Sequence, residues 1–269
     1  MKLSYLQQLN VENLAYDTMN LAKYHDGMKV CMTEQFVAVN SRLPSYNFNI
    51  ITPTTVLDSM AKERLHAEID AFNEQQLPFN IWCYAHDTEL IHFLKRIGLT
   101  EYETAYEAMT LQLEKFQESN LASLSLRVKR IISPEQLKNF VAVLHTIYEE
   151  KTEREAIKSY YTQLSDVLLT ESDVTQLFIG TFRGEVVTTG ALTFKGESVG
   201  MYHIATHPKF RGHGFATEMV QYLLCMAKNL GAKYCTLQSS PAAKRIYESF
   251  GFETIGHLKV YENKEPSPV

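Results

Sequence analysis

Cysteine, glycine and long apolar runs are all scarce in this chain, and each shortage excludes something. Only four cysteines, Cys31, Cys83, Cys225 and Cys235, occur among 269 residues. They are widely spaced and lack metal-ligand spacing, which suits reduced thiols in a cytoplasm better than a disulfide framework. No apolar run approaches the roughly 18 residues that a membrane helix needs. The opening MKLSYLQQLNVENLAYD has no apolar segment of the kind a secretory signal carries. A cytoplasmic protein with no membrane partner is therefore expected. Glycine is almost missing from residues 1–115, which hold only Gly27 and Gly98, so no phosphate-cradling loop is expected there. Positive charge is also in deficit: Lys+Arg number 26 against 31 Asp+Glu, and the formal charge of -5 excludes nucleic acid as a default partner. Residues 201–269 reverse that balance with 8 Lys+Arg against 5 Asp+Glu. This local bias suits a small anionic ligand.

What is present reads as two halves. The polar, aperiodic stretch FQESNLASLS at 116–125 is a linker between a lobe at 1–118 and a domain at 126–269. Ser133-Pro134-Glu135 is an N-cap, a first-turn proline and a first-turn acid, opening a helix to about Glu150. A second helix is predicted from Arg154 to Leu169. The period then changes: 177–183, 186–195 and 198–206 are β-branched and aromatic runs separated by short glycine turns, a meander of three antiparallel strands. Phe215, Met219, Leu223, Met226 and Leu230 recur at helical spacing before Gly231. A buried strand at 234–239, a helix from Pro241 to Gly251 and a last strand at 257–262 complete a mixed α/β order.

Between the third strand and the long helix stands HPKFRGHGFATEM, residues 207–219. Gly212 and Gly214 carry no side chain, so backbone amides there can close on a ligand. The helix that follows presents unpaired N–H groups and a positive dipole end, and Arg211 adds a fixed charge. A phosphate or pyrophosphate seat is one reading and a tight turn is the other. A dinucleotide fingerprint is excluded because Thr217 stands where a third glycine is needed, and a P-loop because Gly-Lys-Ser/Thr is missing.

Arg211-Gly212-His213-Gly214-Phe215-Ala216 resembles the Arg/Gln-x-x-Gly-x-Gly/Ala loop of the GNAT acetyltransferases. Ala205-Thr206-His207-Pro208 resembles the strand end and turn that precede it. Downstream, the segment from Ser240 to Phe252, with Ala243, Tyr247 and Gly251-Phe252, is similar to their Asn-x-x-Ala-x-x-x-Tyr-x-x-x-Gly-Phe motif, with serine at 240 in place of asparagine. The resemblance covers about residues 126–265 and implies a mostly antiparallel sheet flanked by helices, with acetyl-CoA as co-substrate. It places the pyrophosphate on amides of Gly212, His213, Gly214, Phe215, Ala216 and Thr217, and the pantetheine arm along Ile204, Ala205 and Thr206. Ser240 and Ala243 would add contacts.

Acetyl transfer to an amine needs a base for the amine, whose ordinary pKa is near 10.4, and an acid for the departing thiolate. Tyr247 matches the family's tyrosine near the sulfur, although it also lies on an apolar helix face with Ala243, Ile246 and Phe250. The family's glutamate has no counterpart, since SVGMYHIAT and YCTLQS contain no acid and Glu197 stands just before the first. His203 is the candidate base or a packing residue. His203, His207 and His213 lack the cysteine or acid partners of a zinc site. The acceptor, a small molecule or a peptide amine, has no motif of its own. A non-catalytic acyl-CoA-binding module is the rival.

The first half carries an echo of the second. FLKRIGLTEY (93–102) parallels IYESFGFETI (246–255), each between two strand-like runs. This predicts a second, N-terminal GNAT-like lobe that lacks the cofactor loop. Leu65, Ile69 and Phe72 mark one amphipathic helix there, ended near Leu77-Pro78.

Overall fold

The computed structural model describes residues 3–118, 121, 124–170 and 174–263. Contacts divide the chain into two compact units: Met1–Met109 with Gln238–Ala242 and Thr254–Val269, and Thr110–Leu237 with Ala243–Glu253. The segment read as a linker includes Ser119, Asn120, Ala122 and Ser123, which lie outside the described residues. Phe116, at its start, is buried, and its carbonyl accepts from Lys228 Nζ at 2.9 Å.

The first unit opens with α1 (Tyr5–Ala22), started by a reciprocal capping box between Ser4 and Gln7. Strands β1 (Lys29–Met32), β2 (Phe36–Asn40) and β3 (Ile50–Pro53) form an antiparallel meander. Helix α2 (Ser59–Glu74) then crosses to β4 (Asn80–Tyr84), which runs parallel to β3. The expected apolar stripe is there: Leu65, Ile69 and Phe72 are buried, and Phe72 stacks on Phe79 at 4.9 Å. Phe72→Ala removes about 3–5 kcal/mol of that packing. Helix α3 (Thr88–Arg96) ends at Gly98, whose φ of 87° closes the turn into β5 (Thr100–Glu101). Strand β6 (Tyr106–Gln112) carries the chain from one unit to the other.

The second unit holds β7 (Arg127–Arg130), α4 (Pro134–His145), α5 (Lys151–Gln163), α6 (Ser165–Thr170), β8 (Thr175–Phe182), β9 (Glu185–Lys195), β10 (Ser198–Thr206), α7 (Phe215–Asn229), β11 (Tyr234–Ser239) and α8 (Lys244–Ser249). Its strands lie in the order β11-β10-β9-β8-β7. They are antiparallel except for β10 and β11. The cap read at Ser133 is present, its side chain accepting from Gln136 N with Pro134 in the first turn. Helix α4 stops at His145 rather than near Glu150. The single helix expected from Arg154 to Leu169 is two, because the chain leaves helical geometry at the fully buried Leu164. Helix α8 starts at Lys244, after a turn through Pro241–Ala243. Gly190 has no room for a Cβ, which would meet Leu223 Cδ1 at 2.7 Å, so glycine sets how closely α7 lies on β9.

The last strand, β12 (Glu253–Glu262), is longer than expected and pairs with β4 in the first unit, from Leu258↔Tyr84 to Glu262↔Asn80. Each unit therefore follows one plan: an antiparallel meander, a helix, a parallel strand, a second helix and a glycine turn. The expected second lobe is present. No helix among the described residues is long and apolar enough to cross a membrane.

Candidate functional site

The site begins where β10 loses its partners. Beside β11 it is paired only from Ser198↔Tyr234 to Gly200↔Thr236, so the ladder ends there and the edge from Met201 to Thr206 is released. Thr236, at the last pair, has a buried hydroxyl with no hydrogen-bond partner among the described residues. On the other side β10 is paired with β9, but the register shifts between Tyr202↔Ala191 and Ala205↔Thr189. One extra residue of β10 is thus accommodated as a bulge, which bends the strand and re-aims its groups. His203 sits in it at φ 53°, a left-handed conformation that costs a non-glycine residue about 1–3 kcal/mol. Two buried hydroxyls of β9 hold the bulge: Thr189 donates to His203 O and Thr188 to Ala205 O, each at 2.8 Å.

The turn after β10 is tied by short local bonds. His207 Nδ1 accepts from Lys209 N at 3.2 Å, and Arg211 Nε reaches Thr206 O at 3.4 Å. His213 Nδ1 lies 3.0 Å from Arg211 O and 3.3 Å from Phe210 O. Both partners are acceptors, so Nδ1 carries the proton. The imidazole stacks on Phe215 at 5.7 Å, and Phe215 is buried with Leu126 and Val187.

Gly212 and Gly214 have φ of 79° and 81°, and a Cβ at either would meet no atom within 4 Å. Backbone conformation, not crowding, demands glycine there, and the space before them is open. Gly214 is the N-cap of α7 and makes no side-chain cap bond. The first intrahelical bond runs from Glu218 N to Gly214 O, so the amides of Phe215, Ala216 and Thr217 have no intrahelical acceptor. Glu218 is the first-turn acid, but its carboxylate is turned to Ser125 Oγ at 2.7 Å and Leu126 N at 2.9 Å. The helix end keeps its donors open. Arg211, Gly212, His213 and Gly214 are all exposed.

Tyr247 lies on α8, which packs on α7. It is buried with its ring edge-on to Phe252 at 5.7 Å, and its hydroxyl has no hydrogen-bond partner among the described residues. Burial, with Cys235 beside it, holds the phenol protonated well above its ordinary range. Ala243 caps α8 without a side-chain bond. Ser240 falls in the segment that belongs to the first unit, and its carbonyl accepts from Ser239 Oγ at 2.9 Å.

His203 stands against Phe140 and Tyr161, whose rings lie 6.2 and 6.1 Å away. Desolvation by these neighbours lowers its pKa below the ordinary histidine value. The residue also keeps exposed surface, so solvent moderates the lowering. Both effects leave a neutral ring at pH 7. Its Nε2 is 3.3 Å from the hydroxyl of Tyr161, a buried residue of α5 that the sequence does not single out. The only signal for Tyr161 is helical phase with Ile157, which marks a core residue and nothing more. Glu197, the acid nearest β10 in sequence, is ion-paired with Lys233 at 2.8 Å and stands before the start of the strand. Among the described residues no group of three or more His, Cys, Asp or Glu is placed to hold a metal ion.

This arrangement offers a strand edge followed, after the turn at Pro208–Phe210 and the glycine loop, by an uncapped helix N-terminus. The family described as an acetyltransferase (GNAT) domain matches residues 132–264. No curated protein matches the sequence. Among solved structures, a GCN5-related N-acetyltransferase from Kribbella flavida is 14% identical, with a TM-score of 0.69 over 96% of each chain. A GCN5-related N-acetyltransferase from Sphaerobacter thermophilus is 10% identical, with a TM-score of 0.59 over 99% of this chain and 96% of that one. A tandem GNAT protein from the clavulanic acid biosynthesis pathway is 11% identical, with a TM-score of 0.62 over 97% of this chain and 95% of that one. These structures show the fold from end to end, and the family match shows that residues 132–264 of this chain are a GNAT acetyltransferase domain.

Proposed function

We propose that the second unit binds acetyl-CoA and transfers its acetyl group directly to an amine, in the cytoplasm. The observation that carries this reading is the released edge of β10 leading, through the turn at Pro208–Phe210 and the glycine loop, into the uncapped first turn of α7. Acetyl-CoA supplies an acetyl group activated as a thioester. Its fit to this chain rests on the conformation of Gly212 and Gly214 and on the open space before them. Amides of Gly212 to Thr217, with Arg211, hold a pyrophosphate by charge and dipole. Ile204, Ala205 and Thr206 offer strand-edge groups to the pantetheine amides, and Ser240 and Ala243, which follow β11 in sequence, are the remaining candidate contacts.

Once the amine has lost its ammonium proton to solvent, two protons must move. His203, neutral at pH 7, accepts the one released by the amine nitrogen as its bond to the acetyl carbon forms. Tyr247, kept protonated by burial, donates one to the sulfur as the carbon–sulfur bond breaks. Tyr161 holds the imidazole of His203 in place. A second reading, acyl-CoA binding without catalysis, is favoured by one observation: β10 and β11 carry no carboxylate.

Calorimetry with acetyl-CoA followed by CoA release with a panel of amines separates the two. The enzyme reading expects micromolar binding, CoA release that depends on amine, and a ~10²–10⁴-fold loss of kcat in Tyr247→Phe with acetyl-CoA affinity kept. Binding with no amine-dependent release supports the second reading, and no binding to folded protein removes both.

A further inference from the structure

The second unit contains a cavity of about 570 Å³ between α4 and α5, within the range that seats a small organic molecule. Its walls are Leu137, Val141, Ala142 and Tyr161, and its rim carries Lys138, His145 and Lys158. The short connection from Thr146 to Glu150 makes α4 and α5 antiparallel neighbours, so basic residues from both helices border one opening. None of the residues that line it is acidic. Lys151, Lys233 and Lys244 elsewhere in this unit have carboxylate partners. Among the described residues Lys138, His145 and Lys158 make no ion pair. An apolar floor under three basic groups attracts a molecule with an apolar body and an anionic end, and it repels polyamines and other cations.

The inner wall links this cavity to the candidate base, because Tyr161 both lines it and places its hydroxyl 3.3 Å from His203 Nε2. We propose that this cavity seats the acceptor, an amine with an aryl or alkyl body and a carboxylate held by Lys138 and Lys158. The role of the seat as acceptor site rests on the acetyl-transfer reading, whereas its preference for a carboxylate does not.

The test uses the full chain and two matched pairs of probes. 3-Phenylpropanoate and 3-phenylpropan-1-ol share a body and differ in charge; calorimetry is expected to show the acid binding at least about tenfold more tightly. Lys138→Glu combined with Lys158→Glu changes two exposed residues, so folding is retained. It is expected to weaken the acid at least about tenfold while acetyl-CoA affinity stays unchanged. CoA release is expected to favour L-phenylalanine over 2-phenylethylamine by a similar factor in the wild type and not in the variant. Equal binding of acid and alcohol, no binding of either, or unchanged acid affinity in the variant overturns the proposal even if acetyl-CoA binds. Acid binding that the variant loses, in a protein that does not bind acetyl-CoA, upholds the carboxylate site and removes only its role as acceptor seat.

Discussion

The same crossover occurs in both units, and its two helix starts are finished in opposite ways. In the second unit β10 is bulged against β9, the turn contains two left-handed glycines, and α7 begins with no side-chain cap. In the first unit β3 pairs with β2 in unbroken register from Phe36↔Pro53 to Val39↔Ile50, and Asp58 caps α2 by accepting from Ala61 N at 2.8 Å. A carboxylate thus already sits on the positive end of α2, where a second anion would be repelled. One fold plan leaves its helix donors open in the second unit, where binding is proposed, and closes them with its own side chain in the first.

The sharpest way to break that comparison is to fill the open end. Gly214→Glu introduces a side chain at φ 81° and a negative charge at the start of α7. Calorimetry is expected to show acetyl-CoA affinity falling at least ~100-fold, with the wild type binding one molecule per chain. A second binding event in the wild type, or retained affinity in a folded variant, would place the cofactor elsewhere. Circular dichroism and thermal unfolding check that the variant folds.

The bulge gives a smaller and more specific effect. His203→Asn keeps a residue that tolerates the left-handed region while removing the proposed base, and is expected to lower kcat about tenfold or more with acetyl-CoA affinity retained. The pH profile adds a sign. The base form is the neutral imidazole, and desolvation lowers its folded pKa below the ordinary 6.5. Expressed per neutral amine, so that the amine's own ionisation near 10.4 is removed, the wild-type kcat/KM should therefore hold as pH falls through 6.5 and decline only below it. An acidic limb at or above that value would point to another base. Linkage has the same direction: the unfolded chain takes up this proton first, so lowering the pH below 6.5 favours unfolding.

The smallest effect is expected in the first unit. Asp58→Ala removes a cap worth about 1 kcal/mol, read as a shift in the denaturant midpoint, and leaves acetyl-CoA affinity unchanged. A gain or loss of acetyl-CoA binding in this variant would mean that the two helix starts are not divided between binding and architecture.

How much of this was legible depends on the range of the interactions. Ser133, Pro134 and Gln136 lie within one turn of each other, so the start of α4 could be read directly. The meander, the long helix and the glycine loop are also local patterns, and Gly212 and Gly214 take the left-handed conformations that such a loop needs. Helix ends were less legible: α5 breaks at Leu164 because that side chain is buried, and burial is not a property of a short window. Helix α1 was not foreseen because its buried face includes Asn10, Asn13 and Asn20, which blur an apolar stripe. Its polar groups find partners far along the chain, as Asn10 does in Met109 O at 3.2 Å and in Gln238 Nε2 at 2.9 Å.

The sequence by itself determined the order of the meander, long helix, strand and helix from Leu177 to Gly251, the position of the glycine loop and the identity of the residues around it, since these follow from backbone preferences and spacing over a few residues. Tertiary structure decided what those residues meet. The bulge at His203 exists only against β9, the released edge only because the ladder with β11 stops at Gly200↔Thr236, and the Tyr161 hydroxyl reaches His203 across 42 residues of chain. The last strand follows the GNAT-like motif in sequence yet belongs to the first unit, where it pairs with β4. Strand partners and ring contacts of this kind are chosen by packing between distant segments, where the local periodicity of the chain carries no information.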